Sequence, residues 1–285
     1  MKKIVLAIGI LSLIIMTVLS GCTQKQSNSS KPTVKHPKVL QIAILTNMAP
    51  YTYVDKNGKF QGYDYEFLKK VDQMLPQYKF QYHAVSPDSA AAAVKAGTYA
   101  LSCSAHFITP ARQKQYILSY PEDYFPINLV SRKSDSFTKF TDLKNQRIVP
   151  DPPNDGLYVV LHELLSKQPG MKIKEQQVSD YVPYDESIKG VSTGRWDVWF
   201  GGKSIYDSVI KQDPMKNLYI SKPIYSAACV AVINKNQTDL KNQMNKVILK
   251  LYKSGYFSKL SQKWLGEDVW EIAKDTHSLD PVFTK

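Results

Sequence analysis

Apolar positions along this chain follow two periods in turn, one typical of strands and one typical of helices. The run from Val39 to Ile44 first alternates apolar and polar residues and then becomes continuously apolar, which predicts a β-strand that enters a core. Apolar residues from Phe67 to Leu75 fall at helical spacing, and Lys79–Val85 alternates again. Strand, helix and strand in this order predict an α/β fold with a mostly parallel sheet.

Turn and cap residues mark the ends of several elements. Asn57-Gly58 predicts the turn of a hairpin, and Ser86 begins an alanine-rich helix that ends at Gly97. The further predicted elements are an extended strand over 126–133, a short strand over 147–149, a helix from 156, a strand over 171–178, a helix over 185–194, a strand over 196–200, an extended link over 220–225, a strand over 227–233, and helices from 238 and over 256–266.

Two extended crossings, near residues 131–134 and 222–226, are predicted to divide the folded chain into two lobes. The first lobe is discontinuous and consists of residues 39–131 and 226–285. The second lobe is continuous and consists of residues 132–225. No internal repeat is visible in the sequence.

A candidate anion-binding motif, Thr109-Pro110-Ala111-Arg112, follows a short apolar run at 101–103. Thr before Pro predicts a helix N-cap with Pro at the first helical position, which places Arg112 in the first turn. Free N–H groups and the helix dipole favour an anion there, and a guanidinium grips a carboxylate through two parallel hydrogen bonds. An ordinary surface arginine at a helix start is the alternative interpretation of this stretch alone.

The first residues predict export. Met-Lys-Lys precedes an apolar run over 4–19, which is slightly too short for a comfortable membrane span and predicts a signal peptide over 1–21. Leu19-Ser-Gly-Cys22 is similar to a bacterial lipobox, in which the cysteine is lipidated and becomes the mature N-terminus. An uncleaved anchor is the alternative. Residues 22–38 are polar and predict a flexible tether.

Five short motifs in order resemble the extracellular solute-binding proteins, family 3, which are polar-amino-acid receptors of ABC importers. The resemblance covers roughly residues 40–266, with two lesser matches at 55–59 and 142–144. The motifs are Ala49-Pro-Tyr51, Gly62-Tyr-Asp-Tyr-Glu-Phe67, Thr109-Pro-Ala-Arg112, Gly194-Arg-Trp-Asp197 and Lys263-Trp-Leu-Gly266.

The resemblance implies a periplasmic-binding-protein-like type II fold, with two α/β lobes, two hinge strands and a ligand cleft between the lobes. It further implies a monomeric receptor that captures an amino acid or a derivative by hinge closure and passes it to a permease. Lipid on Cys22 would hold this receptor at the extracytoplasmic face of the cell membrane. The alternatives are a dehydratase-like enzyme of the same fold and a sensing or adhesive lipoprotein.

The resemblance also implies which residues bind the solute. Arg112 matches the carboxylate-binding arginine, and Tyr51 follows the proline of a pair that stacks near the solute's side chain. Ser104, Ala105 and Phe107 match positions that line the cleft, and Phe107 replaces a common hydroxyl residue.

In the second lobe, Asn154, Asp155 and Gly156 stand where a Gly-Thr loop is usual. Gly202 stands where an aspartate usually pairs with the solute's ammonium group, and Lys203 follows it. Either Asp155 replaces that aspartate, or the solute presents its ammonium group differently. We expect the replacement.

Charge and composition exclude several other classes of protein. The formal net charge is +12, but the lysines are scattered and accompany no nucleic-acid motif. Anionic lipid, cell-wall polymer or no specific partner fits this charge equally well. No catalytic constellation is present, so we expect no enzyme and no cofactor. Cys103 and His106 alone do not predict a metal site. A disulfide between Cys103 and Cys229 is conceivable, but two buried free thiols are expected.

Overall fold

The segments predicted from the two periods fold into strands and helices. The computed structural model describes residues 31–153 and 155–284, apart from the side chains of residues 87 and 88. The strands are β1 (Lys38–Leu45), β2 (Asn47–Met48), β3 (Thr52–Val54), β4 (Phe60–Gln61), β5 (Tyr78–Val85), β6 (Leu101–Ser102), β7 (Ile117–Leu118), β8 (Asp123–Arg132), β9 (Val198–Gly201), β10 (Leu218–Ile220), β11 (Tyr225–Cys229) and β12 (Val232–Ile233). The α-helices are α1 (Tyr63–Met74), α2 (Pro87–Ala96), α3 (Pro110–Gln115), α4 (Gly156–Ser166), α5 (Tyr184–Thr193), α6 (Lys203–Gln212), α7 (Thr238–Lys253), α8 (Tyr256–Leu265) and α9 (Val269–Asp275), and short 3₁₀ turns span Phe140–Leu143 and Pro281–Phe283.

A five-stranded sheet in the order β5-β1-β6-β12-β7 carries the first part of the fold. β1 pairs in parallel with β5 and β6, whereas β12 runs antiparallel to β6 and β7. The carboxyl ends of the three parallel strands therefore meet at one edge, together with the amino end of β12. Ligands of α/β sheets bind at such an edge.

The long strand β8 organises a second sheet. Its first half pairs with β11, its second half pairs with β9, and its last residues pair with β10, all antiparallel. Nine of its ten residues are buried, so its sequence does not alternate between apolar and polar residues, and the polar Asp123, Asn128 and Ser131 are buried with the rest. A third, three-stranded sheet is formed by β2, β3 and β4. Its second turn contains the predicted Asn57-Gly58 pair, and Gly58 has the positive φ of +75° that such turns require.

Most predicted boundaries are confirmed to within a few residues, but two predicted strands do not form. Residues 171–178 form no strand, and only Lys174 makes an isolated bridge, to Arg147. The predicted strand at 147–149 is likewise reduced to bridges at Arg147 and Ile148. The two segments share three backbone hydrogen bonds, between residues 145–148 and residues 172 and 174, without a continuous ladder. Helices α6 and α9 were not predicted.

Residues 32–285 form one compact unit by their contacts. The lobe boundaries at 131/132 and 225/226 remain predictions. The predicted signal peptide, Cys22 and most of the tether lie outside the described residues. Within residues 31–153 and 155–284, no helix combines the length and the apolar character that crossing a membrane requires.

Candidate functional site

A cavity of about 420 Å³ opens at the carboxyl edge of the parallel strands. Each of those strands leads into a segment that lines it: β1 into 47–51, β5 into α2, and β6 into 104–112. We call 104–112 the first wall. The opposite side consists of Asp155, Gly156, Tyr181 and Tyr184, which we call the second wall.

Arg112 lies in the first wall where the sequence predicts it. The hydroxyl of Thr109 accepts the backbone N–H of Arg112 at 3.2 Å, which confirms the N-cap, and Pro110 begins α3. The guanidinium Nη1 donates to the carbonyl of Phe107 at 2.8 Å. None of the ion pairs among the described residues involves Arg112. Burial lowers the pKa of Arg112, and the charge of Asp155 opposes this effect. The guanidinium thus faces the cavity with donors to spare.

Ser104 and Ala105 lie at the predicted place, but their polar groups bond within the protein. The Ser104 hydroxyl donates to the Cys103 carbonyl at 2.5 Å and lies 2.9 Å from the Thr52 hydroxyl. Ala105 has φ of +47°, and its backbone N–H donates to Asp64 Oδ2 at 2.9 Å. These two residues therefore shape the wall rather than offer it free donors.

Asp64 belongs to a cluster of three fully buried carboxyl groups, with Glu122 and Asp123. None of the described ion pairs includes these three carboxyls. Burial raises the pKa of Asp64 to about 7. Burial and the charge of Asp64 raise the pKa of Glu122 and of Asp123 well above their ordinary values. Desolvation favours the neutral form of a carboxyl group, so burial favours protonation of these three side chains.

Three aromatic rings continue the first wall. Tyr51, which follows the cis Ala49–Pro50 bond, lies 6.2 Å from Phe125 between ring centroids, and Phe107 lies 5.2 Å from Phe125. A Cβ on Gly156 would stand 2.5 Å from the Phe107 ring, so only glycine lets the start of α4 approach this closely. The two walls are therefore in contact at Phe107 and Gly156.

Asp155 is the N-cap of α4 and the acidic group of the cavity. Its Oδ1 accepts the N–H of Leu157 at 2.6 Å, and its Oδ2 accepts the hydroxyl of Tyr181 at 3.0 Å. Burial, with the charges of Asp155 and Asp151, raises the pKa of Tyr184 to about 12. Burial and the charge of Asp155 also raise the pKa of Asp151 to about 7. The second wall is thus an acidic region that tyrosines border.

One predicted site residue, Gly202, does not line the cavity. Gly202 is buried at the N-cap of α6 behind Phe125, whose ring would stand 2.5 Å from an added Cβ. Lys203 forms an ion pair with Asp207. Asn154 lies outside the described residues. The expectation that the Gly202 position carries no ammonium partner remains consistent with this placement.

Cys103 and Cys229 are free and buried, as predicted. The Cys103 thiol donates to Glu122 Oε1 at 3.3 Å, and His106 Nε2 lies 3.2 Å from the Ser102 hydroxyl. These two residues therefore face different partners and do not form a pair. Within the described residues, Asp64, Cys103 and Glu122 have ligand atoms within 4.8 Å of one another, a spacing that could hold a metal ion.

The sequence analysis missed several functional positions. Tyr181, Tyr184 and Phe125 line the cavity, and Asp64 fixes Ala105 from behind. In the sequence, Asp64 is notable only as part of the Gly62–Phe67 motif, and it lies in the first turn of α1. Tyr181 lies in the loop before α5 and Tyr184 is the first residue of α5, and neither carries a periodic signal.

The arrangement defines a class of protein that binds small solutes between two walls. Residues 40–267 match the sequence profile of the bacterial extracellular solute-binding proteins, family 3. The chain belongs to this family of binding proteins, whose type II periplasmic-binding-protein-like fold, with two α/β lobes around a cleft, confirms the predicted fold class.

Individual relatives are distant but cover nearly the whole chain. The L-cystine-binding protein TcyK of Bacillus subtilis (strain 168) is 22% identical over 267 residues, which are 89% of this chain and 93% of TcyK. The probable amino-acid-binding protein YxeM of the same organism is 24% identical over 266 residues, 90% and 93% of the two chains.

Solved structures share the fold. The probable amino-acid ABC transporter extracellular-binding protein ytmK of Bacillus subtilis superposes with a TM-score of 0.67 at 20% identity, covering 81% of this chain and 99% of its own. The L-cystine solute receptor of Neisseria gonorrhoeae, in an unliganded open conformation, gives a TM-score of 0.60 at 20% identity, with 83% and 96% covered.

Proposed function

We propose that this protein captures an amino acid or an amino-acid-like solute in the cavity and delivers it to the permease of an ABC importer. One observation carries the proposal: Arg112 faces the cavity with no carboxylate partner among the described residues, and Asp155 faces it from the opposite wall. A zwitterion satisfies both groups at once. The relatives that bind cystine and other amino acids support the same class of solute.

Arg112 receives the solute's carboxylate, and Asp155 receives its ammonium group. Asp155 Oδ2 accepts one bond from Tyr181 and keeps a second lone-pair direction for an ammonium donor. A buried ammonium without a partner costs several kcal/mol, so the solute's ammonium group requires an acidic side chain as its partner. Because Gly202 supplies none, Asp155 takes this role in the proposal.

Calorimetry with purified protein tests the head-group assignment. The two ligands are an amino acid selected by a thermal-shift screen and the matched carboxylic acid that lacks the amine. We expect Asp155→Asn to weaken the amino acid at least tenfold more than the carboxylic acid. Asparagine retains the oxygen that caps α4, so the helix remains intact. Equal losses for both ligands would remove Asp155 from the ammonium site.

We further propose that the protein is a monomeric receptor, and not an enzyme, that lipid on Cys22 anchors to the extracytoplasmic face of the membrane. The Leu-Ser-Gly-Cys run after the apolar segment supports the anchor. Cys22→Ser should leave the precursor unprocessed or release the protein from the membrane fraction, and unchanged processing and retention would contradict it. Turnover of any bound solute, followed by chromatography, would favour a dehydratase-like enzyme instead.

A further inference from the structure

Charged side chains in the cavity are few. Among the described side chains that line it, Arg112 and Asp155 carry charge at neutral pH, and the proposed function assigns both to the solute's head group. His106 lines the cavity as well, but burial and the charge of Arg112 lower its pKa to about 3, so its imidazole is neutral. The described lining therefore leaves no charged partner for the solute's side chain.

The remainder of the first lobe's side of the cavity is apolar. Most of its residues belong to, or pack on, one buried apolar cluster, and Ala91, exposed on α2, lines the cavity beside them. We call this region the side-chain compartment, and its members are Leu45, Met48, Ala90, Ala91, Tyr116 and Val232.

Polar atoms of the side-chain compartment are already bonded. The Tyr116 hydroxyl donates to the carbonyl of Ala91 at 2.8 Å, which occupies its one proton. Asn47, at the exposed rim, is the nearest side-chain amide among the described lining residues. A charged group in this compartment would lose its hydration without a compensating partner, whereas an apolar group would gain from burial.

Size sets a second condition. A cavity of about 420 Å³ corresponds to roughly fourteen water molecules at ~30 Å³ each. An α-amino-acid head group has five non-hydrogen atoms, so it fills only part of that space. The alanines at 90 and 91 leave the compartment open where larger residues would fill it.

We infer that the solute is an amino acid with a bulky side chain that is uncharged and apolar next to its head group, of the thioether, disulfide or aromatic kind, and that the side-chain compartment selects it. This inference rests on the proposed function, because it assumes that Arg112 and Asp155 hold the head group. Ala91 determines the size limit, since its methyl group is exposed on α2 in the cavity.

Calorimetry on the mature wild-type protein with pairs of matched ligands tests whether the side-chain compartment excludes charged groups. Norleucine and lysine have the same chain length and differ by a terminal ammonium group, and methionine and glutamate form a second pair. We expect norleucine and methionine to bind about 100-fold or more tightly than lysine and glutamate. Preference for lysine or glutamate would overturn the inference.

A larger residue in the side-chain compartment tests whether the solute's side chain binds there. Ala91→Leu should weaken methionine about 100-fold or more and leave alanine, which does not reach the compartment, within about threefold. Ala92→Leu is the matched control, because residue 92 is exposed on the same helix and does not line the cavity. Equal losses for methionine and alanine, or no loss in Ala91→Leu, would overturn the assignment.

The two proposals fail differently. If lysine or glutamate binds preferentially and this binding is lost in Arg112→Ala, the role of the side-chain compartment is wrong and the proposed function stands. Absence of binding by every amino acid in the panel overturns both.

Discussion

The first wall and the second wall of the cavity are held by different kinds of contact. The first wall is fixed through its backbone: the Ala105 N–H bonds to Asp64, the Phe107 carbonyl accepts from Arg112, and Phe107 bridges to Cys229 in β11. The second wall consists of the starts of two helices, with Asp155 and Gly156 at the start of α4 and Tyr184 at the start of α5, and of one loop residue, Tyr181. Tyr181 is 59% exposed and donates its hydroxyl to Asp155.

The difference explains how one fold can keep a constant carboxylate site and vary the rest of the cavity. Backbone bonds tolerate few changes of position, so the first wall presents Arg112 in one geometry. Tyr181, an exposed side chain on a loop of the second wall, can change without disturbing a sheet. We therefore expect changes in the first wall to abolish binding and changes in the second wall to adjust it.

Arg112→Ala removes the charged group of the first wall and should give the largest effect. Loss of one partner of a desolvated charge pair costs about 2–5 kcal/mol, which is roughly thirty- to several-thousand-fold in affinity. Calorimetry with the selected amino acid measures it. Lys114→Ala is the control, because it removes the same charge from an exposed position on α3. Near-normal affinity in Arg112→Ala would contradict the carboxylate role.

The same contrast decides how much of the molecule could be predicted from its sequence. The N-cap and α3 of the first wall depend on four adjacent residues, and local chemistry was enough to place Arg112. The parallel strands and most helices also followed from periodicity. Glycine at 156 was visible in the sequence, but its reason, the Phe107 ring against the start of α4, is a contact between residues 49 positions apart.

Positions that depend on tertiary contacts were not predicted. Asp64 and Glu122 are charged residue types, and nothing local shows that burial keeps them neutral. The predicted strand at 171–178 makes isolated backbone bonds to residues 145–148 instead of a ladder. Tyr181 meets Asp155 across 26 residues of chain, so no period relates them.

The buried support of the first wall should be visible in the pH dependence of stability. The folded pKa of Asp64 is raised to about 7 from 3.8, so between these values the folded state keeps a proton that the unfolded state has lost. Stability therefore falls as pH rises through this window, by up to about 1.4 kcal/mol per pH unit for one group, and the fall ends above pH 7. Glu122 and Asp123 act in the same direction.

Denaturant unfolding of Asp64→Asn, measured from pH 4 to pH 8, isolates this contribution. Asparagine keeps an oxygen for the Ala105 N–H and cannot titrate, so the slope should be smaller by about one proton. Asp275→Asn, an exposed change near the end of α9, should leave the slope as in the wild type. Identical slopes in all three proteins would show that Asp64 does not take up a proton on folding.

Gly156→Ala tests the contact between the two walls. The added Cβ meets the Phe107 ring at 2.5 Å near its attachment point, so the ring cannot swing away without moving its backbone. We expect a loss of about 1–3 kcal/mol in the free energy of unfolding, and weaker solute binding. Phe107→Leu in the same chain should recover part of the stability, because the smaller side chain makes room. If Gly156→Ala alone is as stable as the wild type, the contact between Phe107 and the start of α4 does not constrain the two walls.

Tyr181→Phe changes the second wall least and should give the smallest effect. The ring remains, and Asp155 loses one hydrogen bond to Oδ2 while Oδ1 still accepts from Leu157. A neutral hydrogen bond contributes about 0.5–1.5 kcal/mol. Because the Asp155 carboxylate becomes less well oriented, binding of the amino acid should weaken about two- to tenfold. The matched carboxylic acid without the amine should bind as before. Tyr184→Phe is the control, since no side-chain hydrogen bond of Tyr184 is found within the described residues. If Tyr181→Phe weakens both ligands equally, the hydroxyl supports the shape of the cavity and not the ammonium site.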